Sequence, residues 1–373
     1  MNILFYIDRF PGVGGIENVS TIIIKELCKE HTLFVISNTQ QEGVECPKFI
    51  NLLTMPEKED ELSHNNLVYL EEVIDGKQIN CVVYQDSYGR TERNLCKALE
   101  GKNIPLYVFE HNSPLFIYNK RELEPITTPK GLLRRILHPY LLLKDVKRKR
   151  YLLGHANKYV LLSKQFIPEF CKLVGVDINE ERITFINNPI LPLEAADYAK
   201  KENIILCVSR LVKEKCVDKM IYMWKDMYPQ LPEWRFIIVG DGPERQKLEQ
   251  TLRVHNIPRV EFVGFTQPTH YYQKAKIFLI TSKYEGWPMT LLEAMQQGCV
   301  PIAYHSFSSL KDIIDNEVNG YIIDANDYQT FEEKIIDLAH NEQLLHSLSC
   351  SAIRKSKVFS IGNIIGHWLK LLK

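Results

Sequence analysis

Two carboxylates eight residues apart, Glu285 and Glu293, stand in the stretch SKYEGWPMTLLEAM, residues 282–295. The strand-forming run IFLITS (277–282) leads into it. Pro288 suits the first position of a helix, where a missing N–H costs nothing. Gly298 suits its C-terminal stop. Glu285 is therefore expected in the loop at the strand's end, and Glu293 about one and a half turns into the next helix. The leading amides around Trp287, Met289 and Thr290, with the positive end of the helix dipole, would face the occupant of that loop. Such a helix end accepts phosphate, and the two acids accept hydrogen bonds from vicinal hydroxyls. A ligand with a diphosphate and hydroxyl-rich rings would use every part. The competing reading makes Glu285 a helix-start charge and Glu293 part of a solvated face.

Four further loops carry residue types with chemical use. After the run IILCVS (204–209) come Arg210, Leu211, Lys213 and Lys215. Arg210 and Lys215 could clamp a diphosphate and stabilise it as a leaving group; a solvated basic loop is the alternative. GDGPERQKLE (240–249) is a tight turn feeding a helix, and structural duty fits it better than ligand contact. In PGVGGIENVS (11–20), Gly14 and Gly15 let backbone approach a ligand at a helix start. The spacing is not G-x-G-x-x-G, because position 17 is Glu17. In FEHNSP (109–114), His111 stands at a strand end beside Asn112 and Ser113. That place favours a cleft residue, although a lone His is more often structural.

Two halves of alternating strand and helix must position these loops. Strands are expected at 2–7, 33–37, 81–85, 106–110, 158–163 and 183–186, then at 204–209, 235–240, 260–265, 277–282, 300–304 and 320–324. A helix is expected over about 16–30, and residues 41–65, broken by Pro47 and Pro56, read as a loop. This alternation argues for parallel sheets covered by helices, with ligands outside the carboxyl ends of the strands. The expected fold is α/β: two Rossmann-like doubly wound domains facing a cleft. The first would span 1–188 and the second 189–355. The tail 356–373 has apolar residues at Ile361, Ile364, Ile365, Trp368, Leu369 and Leu372. Its spacing is helical, which suits a last helix crossing back to the first domain.

The bulk composition narrows the classes. The chain has 373 residues, 45% apolar and 25% charged, with 46 Lys+Arg against 46 Asp+Glu. A balanced charge argues against a nucleic-acid-coating role. No apolar run reaches the ~18 residues of a membrane span, and MNILFYIDRF reads as a buried strand rather than a signal peptide. Nine scattered cysteines with no C-x-x-C pair fit reduced thiols and argue against structural zinc.

Together the loops resemble the family 4 retaining glycosyltransferases of the GT-B fold, over nearly the whole chain. The resemblance rests on E-x7-E (Glu285 to Glu293) within S-x-x-E-G-x-P-x-x-L-L-E-A-M, and on the turn Gly14, Gly15, Glu17. It rests also on R-L-x-x-x-K (Arg210, Leu211, Lys215), the G-D-G-P turn and NGYIID (319–324). The resemblance implies transfer of a sugar from a nucleotide sugar, UDP- or GDP-linked, to a glycan or lipid-linked acceptor with retained configuration. It implies that Glu285 binds the donor sugar, Glu293 the ribose, Arg210 and Lys215 the diphosphate, and Gly14 and Gly15 the donor phosphates. His111 is placed near the reacting sugar. Base contacts are expected from backbone near Gly264 and Phe265, and Gly286, Trp287, Met289 and Thr290 complete the donor loop. Two departures stand out: Cys216 follows Lys215 where the family usually has Gly, and Pro288 lacks an N–H. No Asp-x-Asp occurs, so no metal is expected at the diphosphate.

KGLLRRILHPYLLLKDVKRKRYLL (130–153) holds eight Lys/Arg within 130–150 against one acid, Asp145, with Pro139 dividing it. It reads either as a pair of amphipathic helices on the first domain or as a patch for an anionic membrane surface. The second reading gives a cytoplasmic enzyme peripheral on the inner face of the membrane. The favoured role is cell-surface polysaccharide or lipopolysaccharide assembly, with no nucleic-acid partner. The alternatives are a catalytically silent binding subunit of the same fold, or a sugar-nucleotide epimerase.

Overall fold

The computed structural model describes residues 1–58, 60, 62–86, 91–123 and 127–373. Thirteen strands form two sheets among them. The first holds β1 (Asn2–Ile7), β2 (Thr32–Ser37), β3 (Asn51–Thr54), β4 (Cys81–Asp86), β5 (Leu106–Glu110), β6 (Lys158–Leu161) and β7 (Ile183–Phe185), in the order β3-β2-β1-β4-β5-β6-β7. The second holds β8 (Ile204–Val208), β9 (Arg235–Val239), β10 (Val260–Gly264), β11 (Ile277–Ile280), β12 (Val300–His305) and β13 (Tyr321–Asp324), in the order β10-β9-β8-β11-β12-β13. The ladders are parallel, for example Leu4 opposite Val82 and Leu206 opposite Phe278. Both sheets are doubly wound, as the alternating sequence requires. Their central strands are buried on both faces and therefore read as unbroken apolar runs.

The chain divides into two compact units, one of Met1–Tyr118, Arg134–Pro189 and Ile361–Lys373, the other of Asn119–Leu133 and Ile190–Ser360. The last helix, Ile361–Leu371, belongs to the first unit. Ile364, Trp368 and Leu372 recur every four residues and are buried. Trp368 stacks on Phe109 of β5 at 4.2 Å and lies 5.9 Å from Phe5 of β1. In the second unit, Trp224 fills the core between helix Val217–Met227 and β9, and its indole N–H donates to Pro258 O at 2.9 Å.

Three expectations need correction. The stretch 41–65 contains β3, paired with β2 at the sheet edge; Glu59 and Glu61 within that stretch lie outside the described residues. An edge strand of half-buried residues, NLLT, lacks the apolar run that marks a central one. Pro139 does not divide 130–153: one helix runs Pro129–His155 through it. The basic stretch is also not all surface. Lys149 is 1% exposed and its Nζ lies 2.6 Å from Glu110 and 3.1 Å from Asp145, while Tyr159 donates to Glu110 at 2.8 Å. Such a buried cluster holds only while its charges and hydrogen bonds are matched. It ties the long helix to the end of β5.

Candidate active site

In the second sheet β8 lies between β9 and β11, so the chain winds outward on either side of the β8/β11 junction. The loops at the carboxyl ends of these two strands therefore diverge and leave a crevice, the usual ligand position in open α/β sheets. Arg210 and Lys215 follow β8, and Glu285 follows β11. A cavity of about 190 Å³ opens there, and its lining includes Ser209, Arg210, Lys215, Ser282, Glu285 and Thr290. It is smaller than the ~300–1,000 Å³ that encloses a whole small ligand, so it suits one part of a larger one.

Lys215 Nζ and Glu285 Oε1 are 2.5 Å apart, with side chains 16% and 15% exposed. Each is the other's counter-ion in a partly dry place, where the attraction is stronger than at the surface. Backbone bonds fix both loops. Thr281 Oγ1 donates to Lys215 O at 3.1 Å and Cys216 O at 3.0 Å, and Lys283 N donates to Glu214 O at 2.8 Å. Cys216 adopts left-handed φ 50°, ψ 41°, the conformation glycine takes most readily, so this position tolerates Cys at some strain. Arg210 is 75% exposed and reaches Glu214 only at 3.8 Å, which leaves its guanidinium open to a ligand.

Helix Met289–Gln296 begins at the cavity. Pro288 is its N-cap rather than its first helical residue, and no side chain caps it. The leading amides thus remain available. Glu293 lies in the second turn and does not line the cavity. Tyr272, from helix Thr269–Lys274, donates to Glu293 Oε2 at 3.0 Å. Burial pushes the Glu293 carboxyl up from the usual range, and the Tyr272 hydroxyl acts the opposite way. Nothing in the sequence marked Tyr272: the contact exists only because two helices separated by β11 pack together.

Trp287 is buried and packs edge-on against Phe359 at 5.3 Å; it supports the loop from beneath and does not line the cavity. Gly264 and Phe265 close β10, two strands from β8, and Phe265 is 90% exposed. Of the expected donor residues, the cavity brings together Arg210, Lys215, Glu285 and Thr290. Gly264, Phe265, Gly286, Trp287, Met289 and Glu293 lie outside its lining.

In the first unit, Gly14 is the N-cap of helix Gly15–Leu27. Glu17 is buried and folds back to pair with Arg9 at 2.8 Å, so a Cβ on Gly14 would meet its carboxylate at 2.1 Å. Gly14 makes room for Glu17, whereas Gly15 has open space around it. His111 follows β5, and its Nε2 donates to the side-chain amide oxygen Oε1 of buried Gln85 on β4. That bond leaves Nδ1 as the acceptor. Burial drives the imidazole pKa down to about 4, so His111 is neutral at physiological pH.

The chain is similar to known proteins in sequence and in fold. Residues 194–355, within the second unit, match the model for glycosyl transferases group 1. An uncharacterised glycosyltransferase of Haemophilus influenzae is 25% identical over 99% of both chains. A Campylobacter jejuni alpha-1,4-N-acetyl-D-galactosaminyltransferase, named for an undecaprenol-linked glycan, is 25% identical over 96% of this chain and 95% of its own. Among solved structures, the lipopolysaccharide outer core galactosyltransferase WaaB superposes with TM-score 0.74 at 18% identity, covering 99% of this chain and 98% of its own. Anabaena HepE in complex with UDP and glucose superposes with TM-score 0.73 at 16% identity, covering 100% and 99%. The two Rossmann-like sheets are those of GT-B glycosyltransferase structures, and the chain is an enzyme of the glycosyltransferase class.

The G-D-G-P turn has the structural duty its sequence suggested. Leu211 N donates to Asp241 O at 2.9 Å and Glu244 N to Leu211 O at 3.0 Å, clasping the Arg210 loop. Gly240 has φ +135°, and a Cβ there would meet Ser209 O at 1.9 Å. Gly240→Ala is expected to destabilise the protein by about 1–3 kcal/mol and to shift the Arg210 loop. Chemical denaturation checks this; an unchanged transition would show that the turn does not brace the loop.

Proposed function

We propose that the chain transfers a sugar, with retained anomeric configuration, from a UDP- or GDP-linked donor to a glycan or lipid-linked acceptor in cell-surface polysaccharide assembly. The observation that carries the reading is the Lys215–Glu285 pair in the β8/β11 crevice, with Arg210 and a helix start beside it. A diphosphate replaces Glu285 as the partner of Lys215, and sugar hydroxyls replace Lys215 as the partners of Glu285. Glu293 takes the ribose, and exposed Phe265 with Gly264 takes the base. Gly286, Trp287, Met289 and Thr290 shape and anchor the donor loop. In the first unit, Gly14, Gly15 and His111 keep the roles the family resemblance implies. The UDP of the HepE structure and the undecaprenol-linked glycan of the Campylobacter relative's name support the donor and acceptor classes.

The step needs no enzyme nucleophile. The bond from the anomeric carbon to the donor phosphate oxygen breaks, and the acceptor oxygen bonds that carbon on the same face. The acceptor proton passes to a phosphate oxygen. Arg210, Lys215 and the helix amides neutralise the departing diphosphate, so no metal enters the proposal.

The proposal also places the enzyme on an anionic membrane surface, at the cytoplasmic face, through helix Pro129–His155. No helix among the described residues is long and apolar enough to cross a membrane. On this one, Leu132, Ile136 and Tyr140 form one exposed row and Leu133, Leu137 and Leu141 the next, with Ile136 65% and Tyr140 64% exposed. Lys130, Arg134, Arg135, Lys144 and Lys147 accompany them, while Asp145 is turned inward. Apolar rows amid cations match an interfacial helix on anionic lipid.

Two measurements test these readings. In thermal shift with UDP, GDP, ADP and CMP, one nucleotide is expected to stabilise the protein, by about 2.7 kcal/mol at 100 times its dissociation constant. Arg210→Ala should weaken that response. No response to any nucleotide would favour the silent subunit; donor turnover without acceptor would favour the epimerase. In flotation, the protein should rise with phosphatidylglycerol vesicles at low salt, less at high salt, and not after Ile136→Asp with Tyr140→Asp. Absence of binding at low salt would remove the membrane surface.

A further inference from the structure

We propose that Tyr272 is a positioning residue for nucleotide recognition: its hydroxyl locks Glu293 in the orientation that receives the ribose diol. The inference rests on the assignment of Glu293 to the ribose. Tyr272 is 1% exposed, and its hydroxyl donates to Glu293 Oε2 at 3.0 Å. No hydrogen bond within the described residues reaches Glu293 Oε1. One carboxylate oxygen is thus held and the other presented. A glutamate has several free torsions, and fixing it at the moment of binding costs side-chain entropy. A carboxylate already held in place lowers that cost, which is preorganisation.

The backbone that carries Tyr272 is itself anchored from behind. Lys201 Nζ donates to Tyr272 O at 3.1 Å and Ala275 O at 2.5 Å, and Cys299 Sγ donates to the same carbonyls at 3.2 and 3.3 Å. These donors satisfy the C-terminal carbonyls of the short Thr269–Lys274 helix, which would otherwise be unpaired. The ring packs against Phe278 of β11 at 6.2 Å. Burial and the Glu293 carboxylate hold the Tyr272 hydroxyl well above its usual pKa, so it remains a donor.

Tyr272→Phe removes the hydroxyl and keeps the ring. Calorimetry on the full chain would compare the nucleoside diphosphate that binds best among UDP, GDP and ADP with its 2′,3′-dideoxy analogue. The expected result is about a tenfold loss of affinity for the ribonucleotide, as for one hydrogen bond to a charged group, and no change for the analogue. Equal losses for both would make Tyr272 a packing residue only, and no loss for either would remove its role; each overturns the proposal. Glu293→Ala separates the two layers. If it abolishes discrimination between ribose and dideoxyribose while Tyr272→Phe does not, the ribose assignment stands and the positioning role falls. If Glu293→Ala keeps full discrimination, the ribose assignment itself falls, and the positioning role with it.

Discussion

The candidate site depends on one ion pair. Lys215 and Glu285 leave different strands, β8 and β11, and meet at 2.5 Å where the winding of the second sheet reverses. Neither charge is well hydrated, so each needs the other as partner. A ligand can enter only by offering both a substitute anion for Lys215 and substitute donors for Glu285. A nucleoside-diphosphate sugar carries both, whereas a simple anion satisfies Lys215 and strands Glu285. The pair therefore favours ligands of mixed chemistry, which is specificity built from the penalty for an unpaired charge.

The rest of the second unit keeps that pair in register. Thr281 fastens the β8 loop to the β11 loop through two carbonyls. The G-D-G-P turn clasps the β8 loop from the other side, and Trp287 on Phe359 supports the β11 loop from below. These are rigid, short-range devices, in keeping with a site that must present charges at fixed distances. The first unit has a parallel arrangement. The buried Lys149–Glu110–Asp145 cluster fixes the end of β5, and Gln85 sets the tautomer of His111 just beyond it.

Much of this was legible in the sequence because strands covered on both faces leave continuous apolar runs, and because loops after such strands are where ligands sit. Arg210, Lys215 and Glu285 were found by that logic and do share one cavity. What escaped had physical reasons. The edge strand Asn51–Thr54 has no buried face to enforce a pattern. Pro139 reads as a break, but the helix continues through it from Pro129 to His155. Arg148 and Lys149 looked like surface cations, whereas Lys149 is buried against two acids and Arg148 lies 3.6 Å from Glu92. Charge type does not reveal burial when a partner such as Glu110 or Glu92 comes from a distant segment. Tyr272 was invisible for the same reason, its contact with Glu293 being tertiary.

The most direct test is a crystal structure of the full chain with the nucleoside diphosphate that binds it. The expected result is a diphosphate within hydrogen-bond distance of Arg210 and Lys215, with Lys215 released from Glu285. A bound nucleotide lying elsewhere, with the Lys215–Glu285 pair intact, would contradict the account.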